Sequence, residues 1–436
     1  MSLANQLQQA CWFVTLACAR HTAAIAKGDT MPATLLPTAL LQGLPLLWHN
    51  PARQPAAQAL ATLPYGAADI AAAIARWQRF APLLAHCFPD SVAADGRIDS
   101  PLLAQAGPGG TVWVKADHAL PVTACIKARG GVYEVLCQAE TLARRAGLLA
   151  EGSNYALLAG DAARALFARH TILVGSTGNL GYSVGVMARA LGLQVEVHMS
   201  SDAKAWKKDR LRALGARVVE HAGDYAAAVA SARQLAAADP QAYFIDDESS
   251  LLLFFGYAAA AHDLKAQLDT AGLQPTPACP LRVFLPCGVG GAPGGVAFGL
   301  KCLYGDAVQC VFVEPVASPC FLLRLASGDD ALSVYDIGLD NRTLADGLAV
   351  PRASATVAGL VQHLVDAVVT VSDDSLLAEV RQQWQQHGLR LEPSAAAGFV
   401  AQRLAASQWP QQVIPLVWTT GGHGLPDEVF LPLLAG

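Results

Sequence analysis

Lys127 stands in Cys125-Ile126-Lys127-Ala128-Arg129-Gly130-Gly131, and three glycine-bearing segments follow it: Ser176-Thr177-Gly178-Asn179, Gly288-Val289-Gly290-Gly291 and Thr420-Gly421-Gly422. A lysine amine can bond a carbonyl carbon as an imine. A glycine loop that opens a helix turns its amides toward an anion. Hydroxyls and amides in a short loop can grip a carboxylate, and a hydroxyl at a late strand end can face a ring nitrogen. In this order the parts suit a phosphorylated aldehyde cofactor held covalently, with an amino acid beside it.

Each part also has a plainer explanation. Gly288 to Gly295 follows a strand pattern and precedes the helical stretch 296–303, which suits a phosphate cradle. Strand, glycine loop, helix, strand and then Glu314 is equally the layout of a dinucleotide site. The sixth position of that pattern, counted from Gly288, is Pro293, which has no amide and is not the small residue the pattern needs. Ser176, Thr177 and Asn179 are ordinary helix N-cap residues as well as carboxylate ligands. A lysine at a helix start is usually a solvated charge, but Lys127 follows Cys125 and Ile126. Gly130-Gly131 costs a helix about 1 kcal/mol per glycine, so something is expected to approach that backbone closely.

These segments need elements to position them. The stretch 111–115 reads as a strand, and 126–146 as a helix starting near Lys127. Strand patterns at 171–174, 195–198, 216–219 and 242–245 alternate with helical ones at 182–191, 204–214 and 225–238. Further strands are expected at 282–285, 309–313 and 414–418. That rhythm predicts an α/β fold with parallel sheets in two lobes and a cleft between them. The chain of 436 residues exceeds what one core organises. Residues 1 to about 105 read as Ala- and Leu-rich helices, beginning with an amphipathic helix over the first twenty.

Composition narrows the partners. The formal charge of −5, with no long basic run, argues against nucleic acid. The 10 cysteines show no C-x-x-C pair, so neither a zinc site nor a disulfide framework is expected, and the reading is a cytoplasmic enzyme. The apolar stretch 283–300 is broken by glycines and two prolines, which argues against a membrane span.

Several segments resemble the bacterial D-serine dehydratases, fold-type II pyridoxal phosphate enzymes related to threonine deaminase and built like the tryptophan synthase β chain. The resemblance runs from about Lys115 to Leu425. It rests on the Cys125–Glu134 segment, Gly175–Gly181, Ala205-Trp206-Lys207-Lys208, Phe244–Glu248 and Leu285–Gly291, extended by Ala345–Val350 and Leu391–Ala395. The chain departs from the usual pattern at Cys125, at His118-Ala119 and at Ala292.

The resemblance implies pyridoxal 5′-phosphate as cofactor, joined to Lys127 as a Schiff base. Asn179 would meet its 3′-oxygen, Gly288, Val289, Gly290 and Gly291 its phosphate, and Thr420 its pyridine nitrogen. Ser176, Thr177 and Gly178 would take the substrate carboxylate. If so, the α-hydrogen of a D-amino acid points away from Lys127, so Asp247 or Thr177 is expected as a second acid or base. Asp247 otherwise reads as part of a solvated turn. Glu314 is a candidate ligand of a monovalent cation such as potassium. A helical extension (1–105), a large cofactor-binding domain (106–150 with 256–436) and a small substrate-loop domain (151–255) are implied, in a monomer or homodimer. The implied reaction turns D-serine into pyruvate and ammonia, with D-threonine to 2-oxobutanoate as a variant. An L-serine or L-threonine dehydratase, a nicotinamide-dependent oxidoreductase and a non-catalytic binding protein stand as alternatives.

Overall fold

Strands that are apolar at every position cannot have a solvated face, so they must sit inside a sheet covered on both sides. β8 (Leu281–Pro286), apolar but for Arg282, is buried at all six positions, β10 (Ala367–Val371), apolar but for Thr370, is buried throughout, and β9 (Val308–Pro315) is buried at all but Gln309. In the computed structural model, which describes residues 36–435 apart from 108, 177, 202, 223 and 224, these strands form the middle of a seven-stranded sheet. The first-twenty-residue helix expected from sequence lies outside the described residues, as does Thr177.

The order of the larger sheet is β1-β10-β9-β8-β11-β3-β2, with β1 (Leu46–His49), β2 (Leu102–Gly107), β3 (Gly110–Ala116) and β11 (Ile414–Thr419) as the remaining members. The five inner strands run parallel, while β1 and β2 pair antiparallel at the two edges. The smaller sheet is wholly parallel, in the order β6-β5-β4-β7, with β4 (Thr171–Gly175), β5 (Gln194–Ser200), β6 (Arg217–His221) and β7 (Ala242–Ile245). Strands β1, β2 and β10 were not foreseen. The first two lie in the stretch read as helical, and each draws its pairing partner from a distant strand or hairpin that local propensity does not reveal.

Helices cover both sheets. α1 (Ala67–Cys87) and α2 (Tyr133–Arg145) share a core with α5 (Leu251–Ala258) and α6 (Gly291–Tyr304). α3 (Asn179–Leu191) and α4 (Ala205–Ala213) flank the smaller sheet, α7 (Cys320–Ser327) follows β9, and α8 (Pro393–Gln408) lies under the larger sheet beside β8 and β11. Among the described residues, no helix is long and apolar enough to cross a membrane.

Candidate active site

Parallel α/β sheets place their loops at the carboxyl ends of the strands, and there a cavity opens. Lys127, Asn179, Asp247, the Gly288–Gly291 loop and Thr420 all line it. Segments from Ile126 to Thr420 therefore converge.

Lys127 is held from both sides in sequence. Before it, Val122 (φ 77°) and Ala124 (φ 54°) adopt left-handed backbone, a strained conformation for residues with a Cβ. The turn is pinned to the end of β11, where Ile126 N donates to Thr420 O at 2.8 Å and Cys125 bridges Gly421. After it, Ala128–Val132 form a π-helical turn leading into α2. Arg129 Nε and Nη2 donate to Asp117 at 2.7 and 2.9 Å, and Trp418 Nε1 and Ser100 Oγ also donate to that carboxylate. Burial opposes ionisation of Asp117, but Arg129 beside it holds the carboxyl below its ordinary range. A buried, fully bonded pair of this kind ties the ends of β3 and β11 to the Lys127 loop.

The close approach expected at Gly130 is the ring of Tyr257: a methyl there would lie 2.4 Å from its Cζ. The same ring lies under the amine, with Lys127 Nζ 5.9 Å from its centroid. Nζ is 3.4 Å from Asp247 Oδ2, while Asp247 Oδ1 is buried without a hydrogen-bond partner. The solvated-turn explanation fits Asp246 and Glu248, which meet Arg233, but not Asp247.

The glycine loop joins β8 to α6. Gly290 caps α6 with φ 112°, and a methyl on it would sit 2.4 Å from the Phe321 ring. The first amides of a helix have no intrahelical partner, so this end of α6 faces the cavity as an anion cradle. Ser176 Oγ accepts from Gly178 N at 3.1 Å and Gly181 N at 2.9 Å, so it caps the loop while lining the same cavity. Asn179 Nδ2 donates to Glu392 Oε1 at 2.9 Å. Burial pushes the Glu392 carboxyl up, against the pull of Lys207.

Glu314 is not at this cavity. Its two oxygens accept from Phe321 N (2.7 Å) and Leu322 N (2.8 Å), capping α7. Burial raises its carboxyl to about 8 despite those amides. Among the described residues, no group of three or more His, Cys, Asp or Glu is arranged to hold a metal ion.

Two cavity hydroxyls bear on what fills the site. Thr420 Oγ1 and Ser394 Oγ are buried with no hydrogen-bond partner, a condition that costs about 1–3 kcal/mol per group unless a ligand relieves it. An amine, an anion cradle and orphaned hydroxyls in one cavity fit a phosphorylated, nitrogen-containing aldehyde. Sequence reasoning named Thr420 but gave no role to Ser394, Glu392 or Lys207, although all three fall in segments that carried the resemblance.

Residues 96–419 match the pyridoxal-phosphate dependent enzyme family, and the chain belongs to it. Its relatives are specific. It is 52% identical over 407 residues to a probable D-serine dehydratase of Chromobacterium violaceum, covering 87% of this chain and 91% of that protein. A probable D-serine dehydratase of Pseudomonas putida is 50% identical over 416 residues, covering 90% and 93%. Among solved structures, diaminopropionate ammonia lyase from Escherichia coli in complex with D-serine superposes with a TM-score of 0.68 at 19% identity, over 90% of this chain and 97% of that one. That last likeness concerns the fold, which is the fold-type II architecture expected from the sequence.

Proposed function

We propose that the protein dehydrates and deaminates D-serine, with D-threonine as a second substrate yielding 2-oxobutanoate. Overall, the α-hydrogen and the β-hydroxyl leave D-serine as water. The enamine so formed takes a proton on its terminal carbon, and water replaces nitrogen to give pyruvate and ammonium. The observation that carries the reading is the Lys127–Asp247 contact of 3.4 Å in a cavity that also holds the α6 cradle. The names of relatives at about half identity support D-serine as the substrate.

Lys127 would hold the cofactor's aldehyde, the Gly288–Gly291 amides its phosphate, and Thr420 its ring nitrogen. Asn179 has two amide N–H bonds; Glu392 takes one, leaving the other for the ring oxygen. When bound, pyridoxal phosphate supplies an electron sink for the pair left when the α-proton departs. Asp247 and Thr177 are the groups proposed to assist removal of that proton; Asp247 Oδ2, 3.4 Å from Nζ, stands beside Lys127 and can exchange a proton with it. A hydroxyl at Thr420, unlike a carboxylate, does not enforce a protonated ring nitrogen, which favours prompt loss of the β-hydroxyl. The monovalent cation suggested beside Glu314 is tested by comparing turnover in potassium and in a bulky organic ammonium salt.

The deciding experiment is a visible spectrum of the purified protein followed by pyruvate assay with D-serine and L-serine separately. A bound chromophore and pyruvate mainly from D-serine are expected. A protein that stays colourless after reconstitution, or that favours L-serine, would overturn the cofactor or the substrate hand respectively.

A further inference from the structure

The segment Ala205-Trp206-Lys207-Lys208 opens α4, and the functional reading leaves it without a task. Its two lysines differ in surroundings. Lys208 Nζ donates to Ser201 O at 2.6 Å and Glu220 Oε2 at 2.7 Å, facing away from the cavity. Lys207 is 7% exposed and lines the cavity.

Lys207 Nζ pairs with Asp346 Oδ2 at 3.0 Å, but Lys204 Nζ reaches the same oxygen at 2.8 Å. Two ammonium groups thus share one hydrogen-bonded carboxylate, and the further acid acting on Lys207, Glu392, is pushed toward its neutral form by burial, so the balance at the mouth of the site tips positive. That charge lies against Gly178, where a methyl would sit 2.9 Å from Lys207 Nζ. A buried cation with half a counter-charge is unfavourable until an anion joins it. Hydroxyls and amides alone orient a carboxylate; a desolvated ammonium beside them discriminates a charged one.

We infer that Lys207 is a specificity-determining residue that receives the α-carboxylate of the substrate beside Ser176 and Gly178, with Asp346 holding the ammonium in place. This rests on the proposed amino-acid elimination at the same cavity.

The test uses D-alanine and D-alaninamide, which lack a leaving group and differ in the carboxylate charge. Their competition constants are measured against D-serine turnover in the holoenzyme, and their equilibrium binding by calorimetry. The wild type is expected to prefer D-alanine, and K207M to lose that preference by roughly 10–100-fold while binding the amide about as before. K207R is expected to recover part of it. K204M, which also removes one contact to Asp346, is expected to keep the preference. If K207M weakens both ligands equally, or if K204M matches it, Lys207 is only a strut to Asp346 and the inference is overturned. Failure of the wild type to make pyruvate from D-serine would strike the functional reading instead. Pyruvate from the wild type with unchanged discrimination in K207M would strike this inference alone.

Discussion

Replacing Lys127 by methionine keeps an unbranched side chain of similar length over the Tyr257 ring and removes the amine. The expected result is a protein that folds, binds pyridoxal phosphate weakly through the α6 cradle, and shows neither the wild-type visible spectrum nor turnover; a spectrum unchanged from wild type would assign the covalent bond to another lysine. Asp247→Asn isolates the carboxylate whose Oδ1 has no partner within the protein. Turnover should fall about 10²–10⁴-fold, the usual range for a missing acid–base group, with the spectrum retained. Near-normal turnover would remove Asp247 from the mechanism. At this scale much was legible in sequence, because chemistry leaves residue types in place. Lys127, Asn179 and Thr420 were named from motifs. Ser394 and Lys207 were not given roles, since serine and lysine are common and only the fold shows that one hydroxyl is orphaned and one ammonium is buried.

Among the elements, the turn from β3 to Lys127 has a consequence for acid stability. His118 is buried, and its Nδ1 lies 2.8 Å from Thr419 Oγ1. That hydroxyl donates to Lys115 O at 2.9 Å, so the ring nitrogen must be the donor to Thr419. Burial, reinforced by His423, lowers the imidazole to about 4 against an ordinary 6.5. Above pH 6.5 neither the folded nor the unfolded chain binds the proton. Below it the unfolded chain does and the folded one does not, so stability falls with pH until about 4. By pH 5 the loss from this group should approach roughly 2 kcal/mol. Urea unfolding of wild type and H118N at pH 7.5 and pH 5.0 checks it: the variant should lose less on acidification, and equal losses would contradict the assignment. The strands of this region show what sequence conveys about elements. β4, β5 and β7 to β9 were readable because alternation with helices forces a parallel sheet. β1 and β2 were not, because their partners β10 and β3 complete them through edge pairing that no local pattern encodes.

For the whole molecule, the cofactor should act as a stabilising ligand. A group that binds only the folded state at about 100 times its dissociation constant adds roughly 2.7 kcal/mol. The unfolding midpoint of the reconstituted protein should therefore exceed that of the apoprotein, and the increment should shrink in the Lys127→Met chain. Identical midpoints would mean that the cofactor does not bind the native fold.

The last strand of the chain, β11, does not sit at an edge; it lies between β8 and β3. Loss of the residues from Ile414 onward would therefore split the larger sheet down its middle rather than trim it. During synthesis the lysine segment leaves the ribosome early, yet the cradle and Thr420 stand beside it only after β11 has threaded into its slot. Completion of the cavity is thus a late event in the life of the polypeptide.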